Sequence, residues 1–291
     1  MEKDKLSELI LNPDGSIYHL HLKPAEVAQN IILVGDPDRV GRVSSHFDTI
    51  EVKRQNREFH THTGYFKGNR ISVLSTGIGT DNIDIVLNEI DALFNIDLKS
   101  GSQKEVLTGL NFIRIGTTGG IQEDIPLNSY ILSRMAAGFD GVLNFYQDRE
   151  TVSDLEAEEK FKAFTSWGEQ LPSPYFIWSS DFLFDKLNQD VISGITISTP
   201  GFYGPQCRTL RLNPLDPALN TKIASFRYKG MRITNYEMES SALFGLASML
   251  GHQAVTICAM IANRINGELT IDYLPVIDKL ISFTLEQAFR N

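Results

Sequence analysis

The chain has 291 residues, 42% of them hydrophobic, with 27 Lys and Arg against 36 Asp and Glu and a formal net charge of −9. Length alone permits one large domain or two small ones. The acidic balance argues against a nucleic-acid partner, because nucleic-acid binders usually carry a basic face.

The amino-terminal stretch MEKDKLSELI is charged and lacks the apolar region of a secretion signal. No apolar run elsewhere reaches the roughly 18 residues of a membrane span. The two cysteines, Cys207 and Cys258, are too few for a disulfide framework. We therefore expect a cytoplasmic protein without a membrane partner.

Four apolar runs predict strands, three of them ending in a glycine turn and one in polar residues. They are NIILVGDPDRV (30–40), RISVLSTGIGTDN (70–82), NFIRIGTTGGIQ (111–122) and QAVTICAMIANR (253–264). Continuous runs of this kind are typical of strands buried on both faces. Helical patterns at 81–96 and 238–251 alternate with them, which predicts an α/β domain with a largely parallel sheet. Ligands of such sheets bind beyond the carboxyl ends of the strands.

Two segments interrupt this alternation. We expect DLKSGSQKEVLTG (97–109) to be an exposed loop. The segment 147–176 is acidic and then contains Pro and Ser, and we expect a surface excursion with a short helix there. Neither segment is assigned a function, and a single domain is predicted over 1–291.

Arginines near glycine turns predict an anion site. Gly35 and Arg39 lie in GDPDR after the first strand, where exposed amides and a guanidinium suit a phosphate. Arg114 lies inside a predicted buried strand, where a charge needs a partner, and Thr117 adds a hydroxyl. Arg57, in NREFHTHTG, is a third arginine that would give the same dianion charge-assisted hydrogen bonds. The alternatives are an ordinary turn and an arginine paired with a structural carboxylate.

The loop FYGPQCR (202–208) predicts a base-recognition site. Gln206 offers a donor and an acceptor, whereas Arg208 offers donors only. This set matches the edge of a uracil-like ring, where one N–H lies between two carbonyls, and Phe202 is suited to cover the ring face. The alternative is a polar loop, since turn residues are common.

The stretch TNYEMESS (234–241) holds Glu237 and Glu239 on either side of Met238. We expect the preceding strand, RIT, to end at Thr234 and a helix to begin with NYEMESS at Asn235. The helix dipole favours carboxylates in a first turn, which accounts for one acid. A sugar with vicinal hydroxyls accounts for both, because a carboxylate accepts from two adjacent hydroxyls while methionine gives an apolar contact.

Several catalytic motifs are absent from the sequence. It contains no HExxH, Cys-His set or EF-hand loop, so we do not expect a metal enzyme. It also lacks a Gly-Lys-Ser/Thr phosphate loop and a GxSxG elbow, which argues against a nucleoside triphosphatase and a serine hydrolase.

Five motifs in chain order, GDPDRV, STGIG, RIGTTGGIQ, FYGPQCR and NYEMESS, resemble the nucleoside phosphorylase family, and within it the uridine phosphorylases. The resemblance implies reversible phosphorolysis of uridine to uracil and ribose 1-phosphate in pyrimidine salvage, with inorganic phosphate as co-substrate and no cofactor. It implies a single-domain three-layer α/β/α sandwich around a mixed, partly barrel-like sheet. It also implies a homodimer or a hexamer built from dimers.

The resemblance also implies roles by motif position. Phosphate is assigned to Gly35, Arg39, Arg57, Arg114 and Thr117, ribose to Glu237, Met238 and Glu239, and uracil to Phe202, Gln206 and Arg208. His19, in IYHLHLKP, would reach the 5′-hydroxyl of a nucleoside in the neighbouring subunit. The family's potassium site between subunits would use Glu58, Ile78 and, where relatives carry a serine, Asn82.

One departure bears on base preference. Purine-specific relatives carry a Ser-Asp pair whose aspartate protonates N7 of the purine, and this chain has Ala262-Asn263 there. The difference favours a pyrimidine and counts against methylthioadenosine nucleosidases. A phosphorylase of broad pyrimidine or purine preference, a phosphate-independent nucleosidase and a catalytically silent nucleoside-binding module remain alternatives.

Overall fold

The computed structural model describes residues 7–290, so the first six residues of the charged amino-terminal stretch lie outside the described part. Its strands are β1 (Asn30–Val34), β2 (Thr49–Asn56), β3 (Phe59–Phe66), β4 (Asn69–Ser75), β5 (Ile96–Asp97), β6 (Ser102–Gln103), β7 (Asn111–Gly120), β8 (Tyr130–Gly138), β9 (Tyr175–Trp178), β10 (Ile192–Ser198), β11 (Arg227–Tyr228), β12 (Met231–Glu237), β13 (Gln253–Asn263) and β14 (Glu268–Leu269). Its α-helices are α1 (Pro37–Ser44), α2 (Thr80–Asn95), α3 (Leu155–Thr165), α4 (Asp181–Leu187), α5 (Leu219–Ser225), α6 (Ser240–Met249) and α7 (Leu274–Ala288).

The four predicted apolar strands are β1, β4, β7 and β13, and they are neighbours in one sheet. β1 pairs in parallel with β4 and with β7, and β13 pairs in parallel with β7. All four are largely buried, as the continuous apolar runs predict. The predicted parallel sheet is therefore confirmed, and the carboxyl ends of these strands meet at one edge.

Five strands of the sheet close on themselves. β7 pairs with β13, β13 with β8, β8 with β10, β10 with β12, and β12 returns to β7. The β13–β8 and β12–β7 pairs are antiparallel, so the sheet is mixed. β1, β4, β3 and β2 extend the sheet away from this ring. The mixed, partly barrel-like sheet implied by the resemblance is confirmed.

Helices cover the sheet on two faces. Successive residues of a strand point to opposite faces, and in β1 the side chains of Ile31 and Leu33 pack with α2 and α6. Ile32 and Val34, from the same strand, pack with α1, α4 and α7. The result is the α/β/α layering expected for the family. None of the helices in residues 7–290 combines the length and apolarity needed to cross a bilayer.

The predicted helix start at TNYEMESS is wrong. β12 continues through Glu237, and α6 begins at Ser240. The cause is long-range pairing, because Tyr236 pairs with Ile197 of β10 and with Gly119 of β7. These pairs close the barrel, and no local pattern in the sequence shows them.

The segment 147–176 is more deeply buried than the predicted surface excursion. It does contain a helix, α3, but Phe161, Tyr175 and Phe176 are fully buried. Phe161 and Phe176 join residues of β8, β10 and α5 in a third core cluster. The segment 97–109 is largely exposed, as predicted, but its start forms the short β5–β6 hairpin and not a loop.

Candidate active site

A cavity of about 1050 Å³ opens at the carboxyl edge of the parallel strands. Most of the predicted site residues line it, although they come from separate parts of the chain. They are Gly35, Arg39, Glu58, Ile78, Asn82, Arg114, Thr117, Phe202, Gln206, Arg208, Glu237, Met238 and Glu239. A volume in this range suits a small-molecule substrate.

Arg114 lies on β7 at the buried end of the cavity, between two carboxylates. Its Nη2 donates to Glu239, and its Nη1 lies 3.4 Å from Oε2 of Glu237. Burial favours the neutral form, but the charges of Glu239 and Glu237 raise the pKa of Arg114 above its usual value. The side chain needs Gly116, because a Cβ there would lie 2.2 Å from Nη1 of Arg114. Arg114 therefore has carboxylate partners, which was the alternative considered from the sequence, and it also lines the cavity.

The two acids have different environments. Glu237 accepts the backbone N–H groups of Glu239 at 3.0 Å and Ser240 at 3.1 Å, so it caps the start of α6. It also accepts the Ser198 hydroxyl. Glu239 instead accepts the Gly79 N–H at 2.8 Å and pairs with Arg114. Glu239 thus keeps more acceptor capacity for a ligand than Glu237 does.

Burial raises the pKa of Glu239; the charge of Arg114 opposes this shift and the charge of Glu237 adds to it. Two carboxylates here share one directly paired guanidinium. These two carboxylates and one guanidinium leave a net negative charge at the buried end of the cavity, which a further cation or a hydroxyl donor would offset.

That further cation is Arg39, in the first turn of α1. Its side chain is 9% exposed and its Nη1 donates to the Ile115 carbonyl at 3.3 Å. Within residues 7–290 no carboxylate lies in salt-bridge distance of Arg39. Burial and the neighbouring charge of Arg114 lower the pKa of Arg39. Buried guanidinium donors without a carboxylate partner favour an anionic ligand.

The turn at Gly35 offers fewer free amides than the sequence predicted. The Asp36 carboxylate accepts the Asp38 N–H at 2.9 Å and so caps α1. The half-buried Thr117 lines the same region of the cavity. Anion binding at this end therefore depends more on guanidinium groups than on the helix terminus.

The base-recognition residues converge at the other end of the cavity. The Arg208 guanidinium lies 3.7 Å from the ring centroid of Phe202 and donates to Oε1 of Gln206. Gln206 is buried, and its Nε2 donates to the Thr199 hydroxyl at 2.9 Å. Burial, together with the nearby charge of Arg264, lowers the pKa of Arg208 to about 10. A flat ring entering here would meet an aromatic face and a prearranged amide–guanidinium pair.

Arg57 and His19 do not line the cavity within one chain. Arg57 is exposed in the β2–β3 turn, with its guanidinium 5.8 Å from the ring centroid of Tyr18. His19 pairs with Glu89 through Nδ1 at 2.6 Å, and its carbonyl accepts from Asn56 at 2.7 Å. The structure therefore brings two of the three predicted arginines together and places the third beside His19.

Comparison with known proteins agrees with this architecture. The sequence profile of the Phosphorylase superfamily matches residues 30–280. The chain belongs to this superfamily. It is 34% identical over 276 residues to a uridine phosphorylase of Thermococcus kodakarensis, covering 92% of this chain and 85% of that protein. It is 29% identical to a uridine phosphorylase of Haemophilus influenzae, covering 88% of this chain and 89% of that protein.

A solved structure also resembles this phosphorylase superfamily member. It is a Trypanosoma brucei nucleoside phosphorylase described as showing uridine phosphorylase activity. It superposes with a TM-score of 0.85 at 29% identity, covering 96% of this chain and 99% of that one. The family resemblance inferred from five short motifs is therefore confirmed over nearly the whole chain.

Asn263 is the residue that the family resemblance matches to the acid of purine-specific relatives. Its Nδ2 donates to the carbonyls of Gln122 and Ile125, both at 3.0 Å. Its Oδ1 accepts the N–H groups of Ile265 and Asn266. Both hydrogens and the oxygen of this amide are thus already used to hold two turns, so the side chain has little left to offer a base.

Arg264 is a cavity residue that the sequence analysis did not assign. Its Nη1 is buried and has no protein acceptor in the described part of the chain. It lies beside Arg208, since a Cβ on Gly119 would lie 3.4 Å from Cδ of Arg264 and 3.9 Å from Nη2 of Arg208. Its position directly after β13 was the available signal, because ligands bind at the carboxyl ends of parallel strands.

The three residues of the implied potassium site all line the cavity. Glu58 and Asn82 flank Gly77, where a Cβ would lie 3.2 Å from Cγ of Glu58 and 2.5 Å from Nδ2 of Asn82. The Glu58 carboxylate, the Asn82 amide and the Ile78 carbonyl each contain oxygen, the ligand type that suits hard cations. Elsewhere in residues 7–290 no three His, Cys, Asp or Glu side chains are grouped so as to hold a metal ion.

Proposed function

We propose that this chain is a pentosyltransferase that cleaves uridine with inorganic phosphate to give uracil and ribose 1-phosphate. The observation that carries the proposal is the buried Arg39 guanidinium beside the Arg114–Glu239 pair. A hydrolase that used water would have no need of a buried guanidinium that lacks a directly paired carboxylate. A phosphate bound to Arg39 would lie next to Glu239, where the sugar hydroxyls are expected.

The reaction breaks the C1′–N1 bond, and its electron pair leaves with the base. Arg208 and the Gln206 amide donate to the uracil carbonyls, and these bonds strengthen as negative charge develops. The ribose becomes oxocarbenium-like while phosphate, held by Arg39 and Arg114, forms the new C1′–O bond. Glu239 accepts hydrogen bonds from the vicinal hydroxyls and fixes the sugar, so that orientation supplies much of the acceleration.

Uracil is the base that this geometry favours. Gln206 and Arg208 offer one acceptor and several donors at the ring edge. The fully engaged amide of Asn263 supports the exclusion of purines, because it cannot deliver a proton to N7. Other pyrimidines present similar groups to Gln206 and Arg208, so we expect residual activity on them.

We further propose that a second copy of the chain completes each site. Arg57 and His19 adjoin one another at the surface, linked by the Asn56–His19 hydrogen bond and by Tyr18. As one unit they would supply a guanidinium for phosphate and an imidazole for the 5′-hydroxyl of a neighbouring site. Sedimentation of the purified protein tests this directly, and a monomer with full activity would contradict it.

Potassium, where it binds this chain, is proposed to contact Glu58, Ile78 and Asn82. The amide oxygen of Asn82 would take the place of the serine hydroxyl found in relatives. No step of the reaction depends on this ion.

The test of the proposed function is a substrate panel. Uridine, thymidine, inosine and methylthioadenosine are each offered with and without phosphate, and release of free base is followed. The proposal predicts release from uridine when phosphate is present and little from inosine. Equal release without phosphate would indicate a nucleosidase, and no release from any nucleoside would indicate a binding module.

A further inference from the structure

Two adjacent hydroxyl residues stand behind the cavity at the carboxyl end of β10. Ser198 is the last residue of that strand and Thr199 follows it, and both are fully buried. Neighbouring residues of an extended chain point in opposite directions. The Ser198 hydroxyl accordingly contacts the anion and sugar end, while the Thr199 hydroxyl contacts the base end. Neither residue lines the cavity itself.

Ser198 fixes the Glu237 carboxylate. Its hydroxyl donates to Oε1 of Glu237 and accepts the Ser241 N–H at 2.9 Å. The other oxygen of Glu237 faces Nη1 of Arg114 and accepts the Glu239 N–H. A single hydroxyl therefore ties together the carboxylate, the start of α6 and the orientation of the Arg114 guanidinium.

Thr199 fixes the direction of the Gln206 amide. Its hydroxyl donates to the Gly201 carbonyl at 3.0 Å, so its lone pairs are left to accept from Nε2 of Gln206 at 2.9 Å. Arg208 has donors only, so it must face Oε1 of Gln206. The two contacts together hold the amide in one of its two orientations, and hence set where a base meets a donor and where it meets an acceptor.

We propose that Ser198 and Thr199 are positioning residues that divide the site between them, Ser198 serving the phosphate end through Glu237 and Thr199 serving the base end through Gln206. The inference rests on the proposed function. The inference goes beyond that function because it assigns separate effects on phosphate and uracil to two neighbouring side chains that touch neither ligand.

The experiment measures two quantities in each variant: the KM for phosphate in uridine cleavage and the dissociation constant of free uracil by calorimetry. Ser198→Ala removes the hydroxyl from Glu237 and should raise the KM for phosphate by about fivefold or more with the uracil constant unchanged. Thr199→Val removes the acceptor of Gln206 at nearly constant volume. It should weaken uracil binding by about fivefold or more with the KM for phosphate unchanged.

Two further variants control for a general loss of packing. Thr199→Ser retains the hydroxyl and should restore uracil binding towards the wild-type value. Ser72→Ala removes a matched buried strand hydroxyl, which accepts the Ala28 N–H at 2.8 Å, contacts the Thr63 hydroxyl and does not line the cavity. It should leave both constants unchanged whatever it does to thermal stability.

The outcomes separate this inference from the proposed function. Wild-type protein that needs phosphate to cleave uridine, with both variants raising both constants alike, would overturn the inference and leave the function intact. Wild-type protein that binds neither phosphate nor uracil would overturn the function first. If Ser198→Ala does not fold, the Thr199→Val and Thr199→Ser pair still decides whether base binding alone responds to that hydroxyl.

Discussion

The carboxylate of Glu239 is paired with the guanidinium of Arg114 at the buried end of the cavity. We propose the same carboxylate as the acceptor for sugar hydroxyls and the same guanidinium as a ligand of phosphate. An arriving phosphate would then compete with Glu239 for Arg114 and leave Glu239 freer to accept from the sugar. On this proposal, the shared pair couples the binding of phosphate to the binding of the nucleoside.

The first prediction concerns phosphate binding by Arg39. Replacing Arg39 with Ala removes charge-assisted hydrogen bonds to phosphate without leaving a carboxylate unpaired. We expect kcat/KM for phosphate to fall by about 10- to 100-fold, with a much smaller effect on uracil binding. The matched control is Arg42→Ala on the same helix, whose exposed guanidinium pairs with Asp278. Equal losses in the two variants would contradict the assigned role.

The second prediction concerns the sugar. Glu239→Gln keeps the size of the side chain but weakens its acceptors, so it should affect ribosides more than 2′-deoxyribosides. We expect the loss in kcat/KM to be about tenfold greater for uridine than for 2′-deoxyuridine. Steady-state rates on the two nucleosides at saturating phosphate provide the measurement. Losses of the same size on both would remove the vicinal-hydroxyl role.

A third prediction concerns the attempt to create purine activity at Asn263. In the wild-type protein the carbonyls of Gln122 and Ile125 accept from Nδ2 of Asn263. Asn263→Asp replaces this donor with a carboxylate oxygen, which can only accept. We expect a loss of about 2–3 kcal/mol in the free energy of unfolding and no gain of inosine cleavage. Urea denaturation and an inosine assay measure the two effects. Asn266→Asp, in the exposed turn nearby, is the control; inosine cleavage by Asn263→Asp would refute the account of this side chain.

The fourth prediction concerns pH and the segment 147–176. Asp154 caps α3, and its carboxylate accepts from Tyr228, Trp178 and Lys229. Burial opposes ionisation, but these hydrogen bonds prevail and hold the pKa of Asp154 below its usual value. In the unfolded chain the pKa of an aspartate is near 4, and above that pH the ionised Asp154 stabilises the fold. This stabilisation is lost as the pH falls through the lower pKa that Asp154 has in the folded protein.

Asp154→Asn should therefore cost about 1–2 kcal/mol of unfolding free energy at pH 7, because its amide hydrogens face the Trp178 indole N–H. The difference from wild type should narrow as the pH falls below about 4. Asp148→Asn, the same substitution at an exposed position, is the control. A difference that stays constant between pH 7 and pH 3 would show that ionisation of Asp154 does not contribute.

The sheet was predictable from sequence where local composition determines burial. β1, β4, β7 and β13 are continuous aliphatic runs, and strands buried on both faces require such runs. The end of β12 was not predictable. Glu237 is strand because Tyr236 pairs with Gly119 of β7 and Ile197 of β10, and contacts between residues so distant in the sequence leave no trace in local propensity.

The cavity was predictable in part for a related reason. Arg39 follows β1 and Arg114 lies on β7, and these strands are parallel neighbours, so the topology brings the two arginines together. Glu239 follows β12, which reaches the same edge through its antiparallel pairing with β7. Arg57 lies in the β2–β3 turn, next to the cavity residue Glu58 but outside the cavity itself. Nothing in its own segment shows whether it serves this chain or another. The hydrogen bonds that engage Asn263 and Glu237 with protein groups likewise depend on the tertiary structure.

The most direct test of the central claim is the identity of the sugar product. Wild-type protein is incubated with uridine and inorganic phosphate, and uracil is quantified by absorbance. Ribose 1-phosphate is followed by phosphorus NMR and free ribose by a reducing-sugar assay. The account predicts ribose 1-phosphate and uracil in equal amounts, with neither formed when phosphate is omitted. Uracil accompanied by free ribose, or formed at the same rate without phosphate, would contradict it.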